Sequence, residues 1–144
     1  MTLKYDKLGV SFQYPDNWTL NEEDALAGRQ SVTVYSPDGA FWTLALQPRA
    51  IDPAGATEAA LEAMRQEYGA VEAEAVRENV AGRELAGYDL FFYYLDLINT
   101  AKIRTLQDQR MTYTIFCQAE DRDFDRLRMV FQAITVSLLQ GLNG

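Results

Sequence analysis

The chain contains no histidine at all and a single cysteine, Cys117, in 144 residues. Without histidine there is no Ser-His-Asp or Cys-His nucleophile activation, no imidazole general base and no His-ligated zinc. A lone cysteine cannot form an internal disulfide, which suits a reducing compartment and points to the cytoplasm. Lysine is scarce as well: Lys4, Lys7 and Lys102 are all there are, and the arginines are scattered, leaving a net charge of −8. Nucleic acid and anionic membranes need clustered basic residues, so neither is an expected partner. The glycine-rich phosphate signatures G-x-G-x-x-G and G-x-x-x-x-G-K are missing. No stretch reaches 18 consecutive apolar residues, so no membrane span is expected. The opening Met1-Thr2-Leu3-Lys4-Tyr5-Asp6-Lys7 has no apolar run and no small-residue cleavage site, which argues against a secretory signal.

What is present is the composition of an ordinary globular domain, with 48% apolar and 24% charged residues. One domain spanning 1–144 is expected, large enough to bury a core without disulfide or metal. Val10, Phe12 and Tyr14 alternate with polar residues and predict a strand, closed by turn chemistry at Pro15-Asp16-Asn17. Residues 21–28 read as an acidic loop. Ser31–Tyr35 and Ala40–Gln47 alternate around Pro37-Asp38-Gly39, a hairpin signal. Pro48–Ala56 reads as a connection, with Thr57 as the cap of a helix carrying Ala60, Leu61, Met64 and Tyr68 and stopped by Gly69. A four-strand meander follows over residues 70–118, with turns at Ala81-Gly82-Arg83, Ile98-Asn99-Thr100 and Asp108-Gln109-Arg110. A final helix, opened by Asp121 and ended by Gly141, carries the apolar stripe Phe124, Leu127, Phe131, Ile134 and Leu138. Strands, helix, meander, helix is the order of an α+β domain: an antiparallel sheet flanked by helices.

Phe12-Gln13-Tyr14-Pro15-Asp16-Asn17-Trp18 resembles the F-x-Y-P-x-x-W opening of the PsbP-like group. That group includes a photosystem extrinsic protein, the Mog-type Ran-binding import factor and bacterial DcrB-like proteins. Glu120-Asp121-Arg122-Asp123-Phe124 and the helix running to Leu138 resemble its C-terminal end. The resemblance implies an α/β/α sandwich around an antiparallel sheet and a non-enzymatic role as assembly factor, adaptor or chaperone. It carries no functional residue across.

Several residue sets merit weighing for chemistry. Cys117 lies in a strand interior and reads as core rather than as a reactive thiol. Asp121, Asp123 and Asp125 have the spacing that opens a calcium loop, but Arg126 and Gln132 stand where its glycine and glutamate belong. Glu22-Glu23-Asp24 reads as a solvated face rather than a catalytic pair. The aromatic set exceeds what one helix covers. Phe92 and Tyr94 against Phe91 and Tyr93 suggest a central strand covered on both faces. Where one face stays open, Tyr93 and Trp42 line a groove for an apolar ligand or a partner helix, with Arg104 as its charged contact. Trp18 folds over the sheet edge. Trp18, Trp42, Tyr93 and Arg104 are thus the candidate ligand- or partner-binding residues, and no catalytic residue, metal or cofactor is expected. The leading expectation is a cytoplasmic protein-binding module, as a homodimer or heterocomplex through an exposed apolar face. The alternative is a small-molecule binding domain with an apolar pocket between sheet and helix.

Overall fold

The computed structural model describes residues 1–27 and 30–143. Two sheets and three helices form from it. β1 (Thr2–Lys7) and β2 (Val10–Pro15) make an antiparallel hairpin of their own. The main sheet has seven antiparallel strands in the order β3-β4-β5-β9-β8-β7-β6. These are β3 (Thr19–Asn21), β4 (Ser31–Tyr35), β5 (Phe41–Pro48), β6 (Val71–Val80), β7 (Arg83–Tyr94), β8 (Leu97–Gln107) and β9 (Met111–Glu120). The helices are the short α1 (Glu23–Leu26), α2 (Pro53–Tyr68) and α3 (Asp121–Asn143). Among the described residues, no helix is long and apolar enough to cross a membrane.

The register sorts the side chains into two faces. Trp42 lies opposite Cys117, Cys117 opposite Lys102, and Lys102 opposite Asp89, so these four share one face. α3 and the β1–β2 hairpin cover the β4–β5–β9 part of that face. The stripe expected on α3 is its buried side: Phe124, Leu127, Phe131, Ile134 and Leu138 join Val34, Trp42, Leu44, Tyr113 and Ile115 in the larger core. α2 covers the opposite face, where Leu61 and Met64 meet Leu90, Phe92, Ala101 and Ile103. The antiparallel sheet flanked by helices is therefore what the sequence pattern predicts.

Local departures have local causes. α2 starts four residues before Thr57: Asp52 caps it, accepting from the Gly55 amide at 2.7 Å, and Pro53 occupies the first turn, where its missing N–H costs nothing. Thr57 is buried instead, its hydroxyl donating to the Pro53 carbonyl and paired with Thr105 at 2.7 Å. The turn expected at Ile98-Asn99-Thr100 lies earlier. Tyr94 pairs with Leu97, so Leu95 and Asp96 make the turn, and Asn99 and Thr100 are buried strand residues. Gly141 does not end α3; it lets the helix approach β2, because a Cβ there would sit 2.6 Å from the Ser11 hydroxyl oxygen. Within the loop expected over residues 21–28, Asn21 closes β3 and α1 follows; Gly28 lies outside the described residues.

Candidate binding surface

The four candidate residues are not brought into one groove. Trp42 is fully buried under α3, where its indole N–H donates to the Thr135 hydroxyl at 3.0 Å. Trp18 is buried too, edge-on to Phe131 with ring centroids 5.9 Å apart. It is pinned beneath the last helix rather than laid over the sheet edge. Tyr93 lies on the same sheet face as Trp42, but β9 and β8 stand between their strands, and it is 69% exposed.

Arg104 marks the boundary. It is only 4% exposed. Its Nε donates to Glu78 at 2.9 Å, its Nη2 to Asp89 at 2.6 Å, and its Nη1 to the Tyr88 and Ile103 carbonyls. Burial opposes the guanidinium charge, but the bonds to Glu78 and Asp89 outweigh it and hold the pKa above the usual arginine value. Every prominent donor direction of Arg104 is thus used internally, so it offers little to a ligand. Gly87, its cross-strand neighbour, has no room for a side chain: a Cβ would fall 1.8 Å from the Ile103 carbonyl oxygen. Lys102 stands next to Arg104 on this face, its ammonium 5.7 Å from the centre of the Phe124 ring at the start of α3.

Beyond this boundary the face is open. Glu72, Glu74, Val76 and Glu78 of β6 pair with Phe91, Asp89, Gly87 and Leu85 of β7, and Tyr93 continues the same parity past the end of the ladder. The central strand inferred from the aromatic run is therefore covered on one side only. Phe92 meets Tyr68 of α2 at 4.5 Å between centroids, while Phe91 and Tyr93 stay on the uncovered side. A cleft of about 410 Å³ opens there, lined by Ala70, Val71, Glu72, Phe91, Tyr93 and Ile98.

The tip of the β7–β8 hairpin continues this surface. Tyr93, Tyr94, Leu95, Leu97 and Ile98 are all exposed, the densest run of exposed large apolar side chains among the described residues. Sequence reasoning found Tyr93 and missed the others, since it placed the turn three residues later. The two turn residues have φ of +52° and +63°. Two other hairpins use the same left-handed pair, Leu8-Gly9 and Ala81-Gly82, with glycine second. The β7–β8 turn has no glycine. A leucine in the left-handed region costs roughly 1–2 kcal/mol, and here it holds an apolar side chain in water.

Two groups that could carry nucleophilic or acid–base chemistry, Cys117 and Tyr113, are shut in. Burial pushes the Cys117 thiol up to about 12, so no thiolate forms near neutrality. Burial and the bond to Asp108 push Tyr113 up to about 12. The space between the sheet and α3 that both Arg104 and Cys117 line holds only about 40 Å³. Asp121, Asp123 and Asp125 each have a partner, in Thr100, Arg126 and Arg128 respectively.

No known sequence family and no curated protein sequence matches this chain. Solved structures do. The cyanobacterial PsbP of Synechocystis sp. PCC 6803 superposes with a TM-score of 0.62 at 13% identity, over 94% of this chain and 90% of its own. The fold is PsbP-like. Mog1, in a point-mutant form, gives a TM-score of 0.57 at 11% identity over 99% of this chain and 93% of its own. A Pseudomonas aeruginosa protein of unknown function, PA94, gives 0.57 at 10% identity, over 95% of both chains. At these identities the likeness is one of fold. The PsbP-like sheet is what all three share with this chain, so the specific surface described above has to be read from its own residues.

Proposed function

We propose that this chain is a non-enzymatic binding or assembly module that takes a protein partner on the open end of its sheet, through the β7–β8 hairpin tip. One observation carries the reading. The tip keeps five neighbouring apolar side chains in water, on a turn with Asp96 where the other two left-handed hairpin turns have glycine. That exposure does not stabilise the free protein, and it is put to use when a partner covers the tip. The PsbP and Mog1 likeness supports it only by fold. Between the sheet and α3 there is no room for a small molecule, since about 40 Å³ is far below the roughly 300 Å³ of a ligand site. The cleft of about 810 Å³ between α2 and the sheet is wide open and lined by Glu58, Arg77, Glu84 and Gln107, which does not suit an apolar ligand. Enzymatic activity finds no support in that space either. A reducing compartment fits Cys117, buried and unpaired.

The test is affinity capture from native lysate with the wild-type chain and with a Tyr93→Ser/Leu95→Asn/Ile98→Ser variant. Stoichiometric recovery of a protein by the wild type and its loss with the variant is the expected result. Recovery of nothing, or equal recovery by the variant, overturns the assignment.

A further inference from the structure

We infer that β6 is an acceptor edge for an extended, basic segment of the partner, which adds to the sheet as an eighth strand. This rests on the protein-binding reading and names the chemistry of what is bound.

β6 is the outermost strand on its side of the main sheet, and it runs from Val71 to Val80. The opposite edge, β3, has only three residues. Among the described residues, no backbone hydrogen bond outside the β6–β7 ladder reaches residues 71–80. α2 packs mainly on β7, β8 and β9, and α3 on β2, β8 and β9, so neither helix shields that edge.

The direction of the free groups follows from the turn. Val80 pairs with Arg83 across the two-residue turn Ala81-Gly82, whose φ values are both positive. Residues flanking such a turn form a hydrogen-bonded pair, and the pattern then alternates. Val80, Glu78, Val76, Glu74 and Glu72 therefore bond inward to β7. Asn79, Arg77, Ala75, Ala73 and Val71 present their N–H and C=O groups to open solvent. A row of unpaired groups of this length is a template for another strand.

Side chains decide which strand. Glu72, Glu74 and Glu78 sit on the open face at alternate positions. Glu78 already serves Arg104, but Glu72 and Glu74 have no ion-pair partner among the described residues. A strand laid antiparallel on β6 places its own residues directly opposite these glutamates, in non-hydrogen-bonded pairs where side chains approach most closely. Lysine or arginine at every second position is complementary. A second copy of this chain is not: pairing centred on Val76 puts Glu74 opposite Glu78, and pairing centred on Ala75 puts Glu72 opposite Glu78. Like charges facing each other destabilise a ladder, so the edge repels itself while remaining open to a basic strand. The homodimer expected from the sequence is thereby disfavoured at this edge. An antiparallel guest runs toward Ala70, so its C-terminal end reaches the cleft beside Phe91, Tyr93 and Ile98, which takes an apolar anchor.

The probe is the capped peptide Thr-Lys-Glu-Val-Thr-Lys-Thr-Lys-Thr-Leu, written to oppose residues 79 down to 70, with its Lys→Glu counterpart as control. Fluorescence anisotropy at low salt gives affinity, and amide NMR with hydrogen exchange gives location. The basic peptide is expected to bind and to slow exchange at Ala73, Ala75 and Arg77, and the acidic control is not. Ala75→Pro removes an outward N–H without touching the β6–β7 ladder, and weakens binding roughly tenfold. Glu72→Lys/Glu74→Lys, which leaves the backbone alone, does the same through charge. Equal binding of the acidic control, unchanged affinity in both variants, or protection at another element overturns the edge assignment. Loss of peptide binding in Ala75→Pro with lysate capture intact overturns the link between edge and native partner, leaving the tip as the docking element. Failure of the peptide together with failed capture sinks both readings.

Discussion

One face of one sheet is built in two ways. Over β4, β5 and β9 it is closed: Trp42, Leu44, Tyr113 and Ile115 lie under α3 and are almost entirely withdrawn from water. Over the first part of β6, the second part of β7 and the start of β8 it is open, and Glu72 and Glu74 stand where the closed part, which still takes in Val80 and Leu85, has leucine and valine. The strand pairing is equally regular in both halves, so the backbone does not tell them apart. Side-chain choice does. The closed half serves stability, and the open half tolerates charge, strain and exposed apolar surface that stability does not ask for.

Substitutions at four positions probe that contrast, in falling order of effect. Trp42→Ala empties a fully buried site and orphans the Thr135 hydroxyl, so a loss of roughly 3–5 kcal/mol is expected, read as a lower urea midpoint at unchanged slope. Arg104→Met, at the seam between the halves, strands two carboxylates and two carbonyls. Glu78 and Asp89 still reach water, so the loss is smaller, about 1–3 kcal/mol, measured in the same way. A cost as large as that of Trp42→Ala would place the seam inside the closed half.

Asp108→Ala comes next, at about 1–3 kcal/mol. It breaks the turn before β9, where one carboxylate oxygen accepts from the Arg110 and Met111 amides and the other from Tyr113. Despite burial, those bonds hold the Asp108 pKa below its usual value. A depressed carboxylate contributes stability that is present above its unfolded pKa, near about 4, and disappears as pH falls through the folded one. Acid titration of Asp108→Asn should therefore show a shallower loss of stability below about pH 4 than the wild type. Last is Leu95→Asn, which leaves the fold intact and stabilises it by about 0.5–1 kcal/mol, because asparagine accepts the left-handed backbone more readily. A destabilised Leu95→Asn would mean that the tip is structural after all.

How much of this is legible before the structure follows the same division. Alternation and helical periodicity report burial, so the strands around Phe12, Val32, Leu44 and Ile115 and the stripe on α3 stand out in the sequence. β1 does not, because only Tyr5 of its six residues is buried and no alternation survives to be read. The start of α2 was hidden by Pro53, which signals a connection as readily as a first helical turn. The β7–β8 turn was hidden because it departs from turn chemistry: with Leu95 and Asp96 in place of asparagine and glycine, the nearest recognisable signal was Asn99. For the site, Tyr93 stands out in the aromatic run, but aromatics of both parities point to a strand covered on both faces, and the open side shows only in the structure. That Trp42 and Trp18 lie under α3, and that Arg104 is consumed by Glu78 and Asp89, depends on which strands become neighbours. Strand order is a long-range property that no window of residues contains.

The β1–β2 hairpin shares no ladder with the main sheet and is held largely by α3, through Ser137 against Gln13 and Gly141 against Ser11. The hairpin therefore lacks its covering surface until α3 is in place. Contacts that join the two ends of a chain form late and slow the overall reaction. Tyr5, Phe12 and Tyr14 share their core with Phe131, Ile134 and Leu138 of α3, so the burial of the hairpin waits on a contact between segments more than a hundred residues apart.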